Sequence, residues 1–338
     1  MLHYLLRRLV QALIVLWGAI TVSFAVLHLT PGDPVRIMLG GSGDAAAAAS
    51  PEQVAALRAE LGLDLPLWQQ YLGYLARVLT GDLGTAYSTG QPVTAEIAQA
   101  LPVTVELGVA AIAASVVLAL VFALFGVLLP GAGLRSLFQS VTVLGVAMPS
   151  FWVAILALQV FSFRLGWFPA FGSDGLVAVV LPALTMAVLT AGTLAQVLTR
   201  GLKDALAEPY ADTARAKGLS ETRVVLWHAF RNASLPVFTM VGMMVGGVLG
   251  GAAIVETIFG RQGVGQLFVT AVQAHDFPLI QALIILTGGV FVLVTLAVDL
   301  LYPLIDPRVV VPQAADRRRG PDSTGRADRS PLVQEAAG

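Results

Sequence analysis

Long runs without a charged residue alternate with short polar segments along most of this chain. Six such runs, 21 to 28 residues long, contain no Asp, Glu, Lys or Arg: Leu9–Leu29, Leu107–Leu129, Ser136–Phe163, Gly175–Thr199, Asn232–Val255 and Phe277–Val298. A helix needs about 20 apolar residues to cross the hydrocarbon core of a bilayer. The pattern therefore predicts six membrane-spanning helices in an all-α polytopic membrane protein.

Two prolines, Pro149 and Pro182, lie inside or near the start of these runs. Neighbouring helices can satisfy the carbonyls that a proline frees within a membrane, so we expect kinks rather than breaks. The first run could instead belong to a signal peptide, but that would have a shorter apolar region followed by a small-residue cleavage site. Here Thr30-Pro-Gly-Asp-Pro34 follows, and we interpret the run as a retained helix.

The polar segments divide the chain into four parts. Residues 1–29 hold the N-terminus and the first span, and residues 30–100 form a mixed polar region with an alanine-rich insertion at 40–50. Residues 101–310 contain the other five spans and a polar loop at 203–232. Residues 311–338 are rich in Pro, Gly, Ser, Asp and Arg and poor in aromatic residues, which predicts a disordered tail.

Basic residues are unevenly distributed across the predicted topology. If the N-terminus is cytoplasmic, 15 Lys and Arg residues lie on the cytoplasmic side and five lie outside. Membrane proteins keep an excess of Lys and Arg in their cytoplasmic loops. The ratio therefore favours two cytoplasmic termini, and it places residues 30–100 outside and the loop 203–232 in the cytoplasm.

Composition excludes several kinds of site. The chain has no cysteine, and its four histidines are scattered without metal-ligand spacing, so we predict no metal site. No GxxxxGK[ST] motif is present, and Gly246-Gly-Val-Leu-Gly-Gly251 lies inside an apolar run, where small residues favour close helix packing. The sequence pairs no residues for Ser-His-Asp or two-carboxylate catalysis, and a net charge of −1 gives no general attraction to nucleic acid.

The polar loop 203–232 has the local signals of a short helix followed by a sharp turn. Pro209 suits a first helical position, and Asp212 lies in the first turn, near the positive end of the helix dipole. Arg215 and Lys217 lie in the last turn, and Gly218 stands where a left-handed residue ends many helices.

A second helix is predicted directly after that turn. Ser220 can cap it, and its apolar face would be formed by Val224, Trp227 and Phe230. A helix of about nine residues is too short to be stable alone, so the first helix needs a surface to dock against.

Two acidic residues, Glu256 and Asp299, end the fifth and sixth apolar runs. Ionisable residues in membrane helices mark a pathway by default, but both of these lie near an interface. They are candidates either for lining a translocation pathway or for pairing with a neighbouring helix or subunit. Glu106 and Arg164 are interpreted as interface residues.

The run Glu208-Pro-Tyr-Ala-Asp-Thr-Ala-Arg-Ala-Lys-Gly218 resembles the EAA loop of ATP-binding-cassette (ABC) importer permeases. With His228-Ala-Phe-Arg-Asn-Ala-Ser-Leu-Pro236, it is similar to the dipeptide, oligopeptide and nickel branch. Asp212-Thr213-Ala214 stands where the broad motif has Glu-Ala-Ala, and Pro236 follows Gly218 by 18 residues, as in the peptide branch. The resemblance covers nearly the whole chain except the alanine insertion and the tail.

This resemblance implies a type I importer permease fold with six transmembrane helices and an extracytoplasmic insertion after the first. It implies one half of a pore for di- or oligopeptides in the bacterial plasma (inner) membrane, shared with a homologous second permease. The other implied partners are two cytoplasmic ATPase subunits, which would hold the ATP and Mg²⁺ that this chain does not bind, and an extracytoplasmic solute-binding protein. The coupling residues carried over are Glu208, Tyr210, Asp212, Thr213, Ala214, Arg215, Lys217 and Gly218.

Alternatives remain open at this point. A chain of the same architecture could import nickel or another small solute. A secondary transporter is the alternative of a different class, and it would require charged or broken helices at mid-membrane and an internal repeat, neither of which is clear here.

Overall fold

A computed structural model describes residues 2–40, 50–60 and 62–305 as helices joined by short connections. The helices are α1 (Leu2–Leu29), α2 (Pro34–Gly40), α3 (Pro51–Glu60), α4 (Leu67–Thr80), α5 (Val93–Leu128), α6 (Ala132–Ala147), α7 (Ser150–Ala157), α8 (Leu176–Leu206), α9 (Pro209–Ala216), α10 (Glu221–Arg223), α11 (Phe230–Ile258), α12 (Val264–Gln273) and α13 (Phe277–Ile305). Leu158–Arg164 and Val224–Ala229 are π-helical. The predicted tail and nearly all of the alanine insertion lie outside the described residues.

Among the residues that the structure describes, four single helices are long and apolar enough to cross a membrane, namely Leu6–Leu29, Val93–Leu128, Leu176–Leu206 and Phe277–Val298. Two further candidates are bent pairs of helices, Ala132–Ala147 with Ser150–Arg164 and Glu221–Val248 with Gly250–Ile258. The count reaches the predicted six if each bent pair crosses once.

The third apolar run is not the kinked helix that the sequence suggested. Its two helices meet at 107°. The residue before a proline is pushed away from helical geometry, and Met148 is extended at φ −84° and ψ 132°. Pro149 is extended as well, at ψ 137°, so the helix breaks there. Pro182, in the second turn of α8, leaves that helix continuous, as expected.

The central helix of the fold is α8, which packs against α5, α6 and α11. Its largest fully buried side chains are Leu194, Leu198 and Leu202. Glycines permit the closest approach, because a Cβ added to Gly192 would lie 2.6 Å from the Thr142 carbonyl oxygen on α6. Within the run Gly246–Gly251, Gly246 faces the Phe291 ring on α13, where an added Cβ would lie 2.7 Å away, so this glycine packs as predicted.

The region between the first two spans is folded against the rest of the chain. Prolines stand at both helix starts in this region, with α3 beginning at Pro51 and α4 directly after Pro66. The second span begins already at Val93, so the boundary expected at residue 100 lies inside α5. The loop before α5 is fastened to the start of α13, where the Ser88 N–H and hydroxyl donate to the buried Asp276 carboxylate at 2.8 and 2.7 Å.

Candidate functional site

The short helix α9 forms where the sequence predicted it. Glu208 occupies the N-cap position in extended geometry, Pro209 begins the helix and Asp212 lies in its first turn. The Thr213 hydroxyl donates to the Pro209 carbonyl oxygen at 3.1 Å. The helix ends at Ala216, after eight residues, and Lys217 is its C-cap.

A left-handed glycine closes α9. Gly218 has φ +84°, and its N–H donates to the Arg215 carbonyl oxygen at 2.9 Å. The next N–H, of Leu219, reaches back to the Ala214 carbonyl oxygen at 3.3 Å. These two bonds form a Schellman motif, in which a residue with positive φ satisfies the last carbonyls of a helix. A Cβ added to Gly218 would meet nothing within 4 Å, so glycine is favoured here by backbone conformation and not by space.

The inner face of α9 is held by a small apolar cluster. Ala211 and Val224 are fully buried, Ala214 is nearly so, and Leu206 and Leu219 pack against them. The Asn232 side-chain amide also donates to the Tyr210 hydroxyl at 3.3 Å. The cluster therefore joins α9 to the end of α8 and to the beginning of the fifth span.

Arg215 ties α9 to the next helical segment. It pairs in bidentate fashion with Glu221, through Nε and Nη2 at 3.0 and 2.9 Å, and its Nη1 donates to Asp212 at 2.9 Å. The hydrogen bonds to Glu221 and then Asp212 raise the pKa of Arg215, and the bond from Arg215 lowers the pKa of Glu221. Arg215 thus has internal partners. Glu208, Thr213 and Lys217 present exposed side chains on the outer face of the loop, as does Asp212 beside its bond to Arg215.

The predicted apolar face of the second helix is wrong in one position. Val224 is fully buried, but Trp227 is 78% exposed, and Val225 and Ala229 take its place in the core. The cause is the π-helical geometry of Val224–Ala229, which adds about one residue per turn and shifts the buried stripe. Ser220 stands at the N-cap position of this helix but makes no side-chain cap hydrogen bond.

At the opposite end of the fold, Glu256 is fully buried in a hydrogen-bonded network. Its carboxylate accepts the Thr104 hydroxyl at 2.6 Å and the N–H groups of Gly265 and Gln266 at 2.8 and 3.1 Å. Thr104 also accepts the Val264 N–H at 2.8 Å. A carboxylate from α11 and a hydroxyl from α5 together cap the start of α12, where free N–H groups favour negative charge.

Glycines bring this network together. A Cβ on Gly265 would lie 2.4 Å from the Ala253 Cα, and a Cβ on Gly263 would lie 2.2 Å from a Glu256 carboxylate oxygen. The buried Arg261 donates to the Ala178 carbonyl oxygen and to Glu106, both at 3.2 Å. Sequence reasoning missed Thr104, Arg261 and both glycines. The available signal was Gly263 and Gly265 at the start of an apolar helix, seven and nine residues after Glu256.

The two acidic candidates have different outcomes. Of the two readings for Glu256, its contacts favour pairing with a neighbouring helix. Asp299 lies on α13, and its side chain is outside the part of the structure that is described. In the described ranges, no group of three or more His, Asp or Glu residues is arranged to hold a metal ion.

Comparison with known proteins gives consistent matches along the chain. Residues 115–311 match the family described as "Binding-protein-dependent transport system inner membrane component". Residues 1–108 match the corresponding N-terminal family, "Binding-prot-dependent transport system membrane comp, N-term". Together these matches cover both the helical core and the region that precedes it.

Similar curated proteins include the "Glutathione transport system permease protein GsiC" of Escherichia coli strain K12, which is 36% identical over 309 residues. The protein of the same description from Salmonella typhimurium is 37% identical over 309 residues. Each alignment covers 91% of this chain and 99% of the relative. A solved structure described as "Crystal structure of an amino acid ABC transporter with histidines" aligns with 17% identity and a TM-score of 0.48, over 64% of this chain and 94% of that one.

The family match and the identity over nearly the full chain agree with the all-helical membrane architecture and with the predicted permease fold class. They also answer the question of class that the sequence left open between an ABC importer and a secondary transporter. The chain belongs to the family of binding-protein-dependent transport system inner membrane components, as a multi-pass permease subunit of an ABC importer whose ATP hydrolysis takes place on separate subunits.

Proposed function

We propose that this chain forms half of a translocation pore for short peptides and transmits ATPase movement through residues 208–219. The observation that carries the proposal is the construction of α9. Its inner face is packed and ion-paired to the chain, while its outer face exposes Asp212, Thr213 and Lys217. A short helix held on one side and open on the other has the form expected of a docking element.

The way α9 is attached supports the proposal that α9 moves as one rigid body with the helices it contacts. The cluster around Ala211 and Val224 lies next to a second cluster containing Leu202, Ala205 and Ala229, which joins α8 to the fifth span. Because packed helices move as bodies rather than deforming continuously, displacement of α9 would carry α8 and α11 with it. In an alternating-access cycle, this movement would open and close the pathway. Of the coupling residues, Arg215 and Ala214 then serve by holding α9, and Glu208, Asp212, Thr213 and Lys217 by meeting the partner.

The proposed assembly contains a homologous second permease, two cytoplasmic ATPase subunits and an extracytoplasmic solute-binding protein. ATP and Mg²⁺ would bind to the ATPase subunits. Both termini and the loop 203–232 would be cytoplasmic, since 15 of the 20 Lys and Arg residues then lie on that side.

The proposed substrate class is a di- or oligopeptide. The named relatives transport glutathione, which is itself a tripeptide, and the loop motif resembles that of the peptide branch. The peptide-branch resemblance is shared with nickel importers, so a metal or another small solute is the alternative. Both the peptide and the alternative would use the same coupling loop.

Two substitutions at Gly218 test the coupling role. Valine is β-branched and strongly disfavoured at φ +84°, whereas asparagine tolerates left-handed geometry. Since an added Cβ meets nothing within 4 Å, the two variants differ mainly in backbone preference. In proteoliposomes of the complete transporter, the Gly218→Val substitution should lower both the substrate-stimulated ATPase rate and the transport rate by about tenfold or more. A tenfold fall corresponds to an increase of about 1.4 kcal/mol in the activation free energy.

Gly218→Asn should retain most of both activities. Co-purification with a tagged ATPase subunit would separate failed docking from failed movement. Wild-type transport and ATPase stimulation in Gly218→Val would refute the rigid-body coupling through α9, and equal loss in both variants would show that backbone conformation at Gly218 is not what matters.

A further inference from the structure

An open cleft of about 550 Å³ lies between the start of α6 and the coupling loop. Its wall is built from the end of α5, the first turns of α6, the end of α8 and Glu221. Small-molecule sites commonly have volumes of about 300–1,000 Å³. The cleft is therefore large enough for a small ligand, at the end of the molecule that carries α9.

Two cations, Arg135 and Lys203, line this cleft. The Gln139 side chain links one of them to α5, because its Nε2 donates to the Gly126 carbonyl oxygen at 2.9 Å and its Oε1 accepts from Lys203 Nζ at 3.3 Å. With one N–H donated to Gln139, the Lys203 ammonium keeps two further N–H donors in the wall of the cleft.

The cleft retains net positive charge. The carboxylate that lines it, Glu221, has both oxygens bound by Arg215. Over the ranges that the structure describes, neither Arg135 nor Lys203 takes part in an ion pair. Two cations from different helices thus line one cavity, and the carboxylate in its wall is hydrogen-bonded to Arg215.

We propose that this cleft binds a phosphate group, carried either by an anionic phospholipid or by a soluble phosphate. The Arg135 guanidinium can bind phosphate oxygens in pairs, Lys203 supplies a point charge, and the Ser136 hydroxyl adds a donor on the same wall. The site goes beyond the proposed function, because its ligand is not the transported solute and its occupation requires neither transport nor ATP hydrolysis.

Binding to the purified full-length chain tests the proposal directly. Delipidated protein in phosphate-free detergent would be titrated with phosphatidylglycerol or phosphatidylcholine and followed by native mass spectrometry. Inorganic phosphate would be measured in parallel by equilibrium dialysis. The variant Arg135→Gln/Lys203→Gln removes both cleft cations. The matched control, Arg223→Gln/Arg231→Gln, removes two exposed cations that lie in the same loop, 203–232, but do not line the cleft.

Saturable binding of phosphatidylglycerol in preference to phosphatidylcholine, weakened roughly tenfold or more in the cleft variant alone, would support a lipid phosphate. Binding of inorganic phosphate with the same dependence would support a soluble source. If the cleft variant does not fold, Ser136→Asp places a negative charge on the same wall and should weaken binding equally while both cations remain. Unchanged binding in the folded cleft variants, or equal loss in the control, would overturn the site.

Discussion

At each end of the fifth span a carboxylate holds a short helix in place, but one carboxylate is buried and the other is exposed. At one end, the buried Glu256 accepts three hydrogen bonds and caps the start of α12. At the other end, Glu221 accepts two hydrogen bonds from Arg215 and fastens α9, but its side chain is 55% exposed. Both carboxylates hold a short helix against the same span: Glu256 holds α12, and Glu221 holds α9.

Burial is the difference that matters. Water can replace the partners of Glu221, so its pair contributes little to global stability. Among the partners of Glu256, Thr104 and Gly265 are buried and Gln266 is partly buried, so removal of the carboxylate would leave buried donors unpaired. The comparison indicates that one end of the span is built as a rigid joint and the other as an attachment that can respond to a partner.

The largest expected effect comes from Glu256→Ala. This substitution leaves the Thr104 hydroxyl and the N–H groups of Gly265 and Gln266 without an acceptor, and we expect it to lower the free energy of unfolding by about 3–5 kcal/mol. The measurement is equilibrium denaturation in mixed detergent micelles. Glu221→Ala is the matched control at the exposed end, and its unfolding midpoint should be close to that of the wild type. If both variants lost similar free energies of unfolding, the distinction between a rigid end at Glu256 and a weakly held end at Glu221 would be wrong.

Two glycine substitutions compare the same two ends of the span, with smaller expected losses of stability. In Gly265→Ala, the new Cβ would lie 2.4 Å from backbone, so we expect a global loss of about 1–3 kcal/mol from overpacking. In Gly218→Ala there is no steric conflict, and the left-handed backbone costs about 1–2 kcal/mol, confined to the loop. Hydrogen exchange should therefore accelerate across the network in the first variant and only in residues 209–219 in the second. Faster exchange of α12 in Gly218→Ala would contradict this division.

The smallest effect is a pH dependence restricted to the loop. Arg215 lowers the pKa of Glu221, so the ion pair stabilises the loop at pH values above the ordinary glutamate range. This contribution disappears as the pH falls through the lowered pKa and Glu221 is protonated. Exchange rates in α9, corrected for the intrinsic effect of pH, should rise below a pH of about 4.

The variant Glu221→Gln provides the control for that titration. It should show faster exchange of α9 at neutral pH and no additional acid-dependent step. An identical acid step in the wild type and in Glu221→Gln would assign the titration to another group.

Much of the fold was predictable because it depends on local rules. Uncharged runs predicted where the spans lie, since the bilayer core requires about 20 apolar residues from each of them. Pro209, Asp212 and Gly218 predicted the limits of α9 because each acts on its own turn of the chain, and the structure places all three as expected. The resemblance carried by residues 208–236 predicted the family, which the comparisons confirmed.

What the sequence by itself determined about this protein is therefore the number of apolar runs, the limits of the coupling helix and the transporter family. Three features were decided only by tertiary structure: the 107° break at Pro149, the exposure of Trp227 and the partners of Glu256. The angle at Pro149 depends on how α6 and α7 each pack against α8. The π-helical geometry of Val224–Ala229 buries Val225 and Ala229 and leaves Trp227 exposed. Glu256 meets Thr104, 152 residues away, and Gly265 because α5, α11 and α12 converge there, a contact that no local pattern encodes.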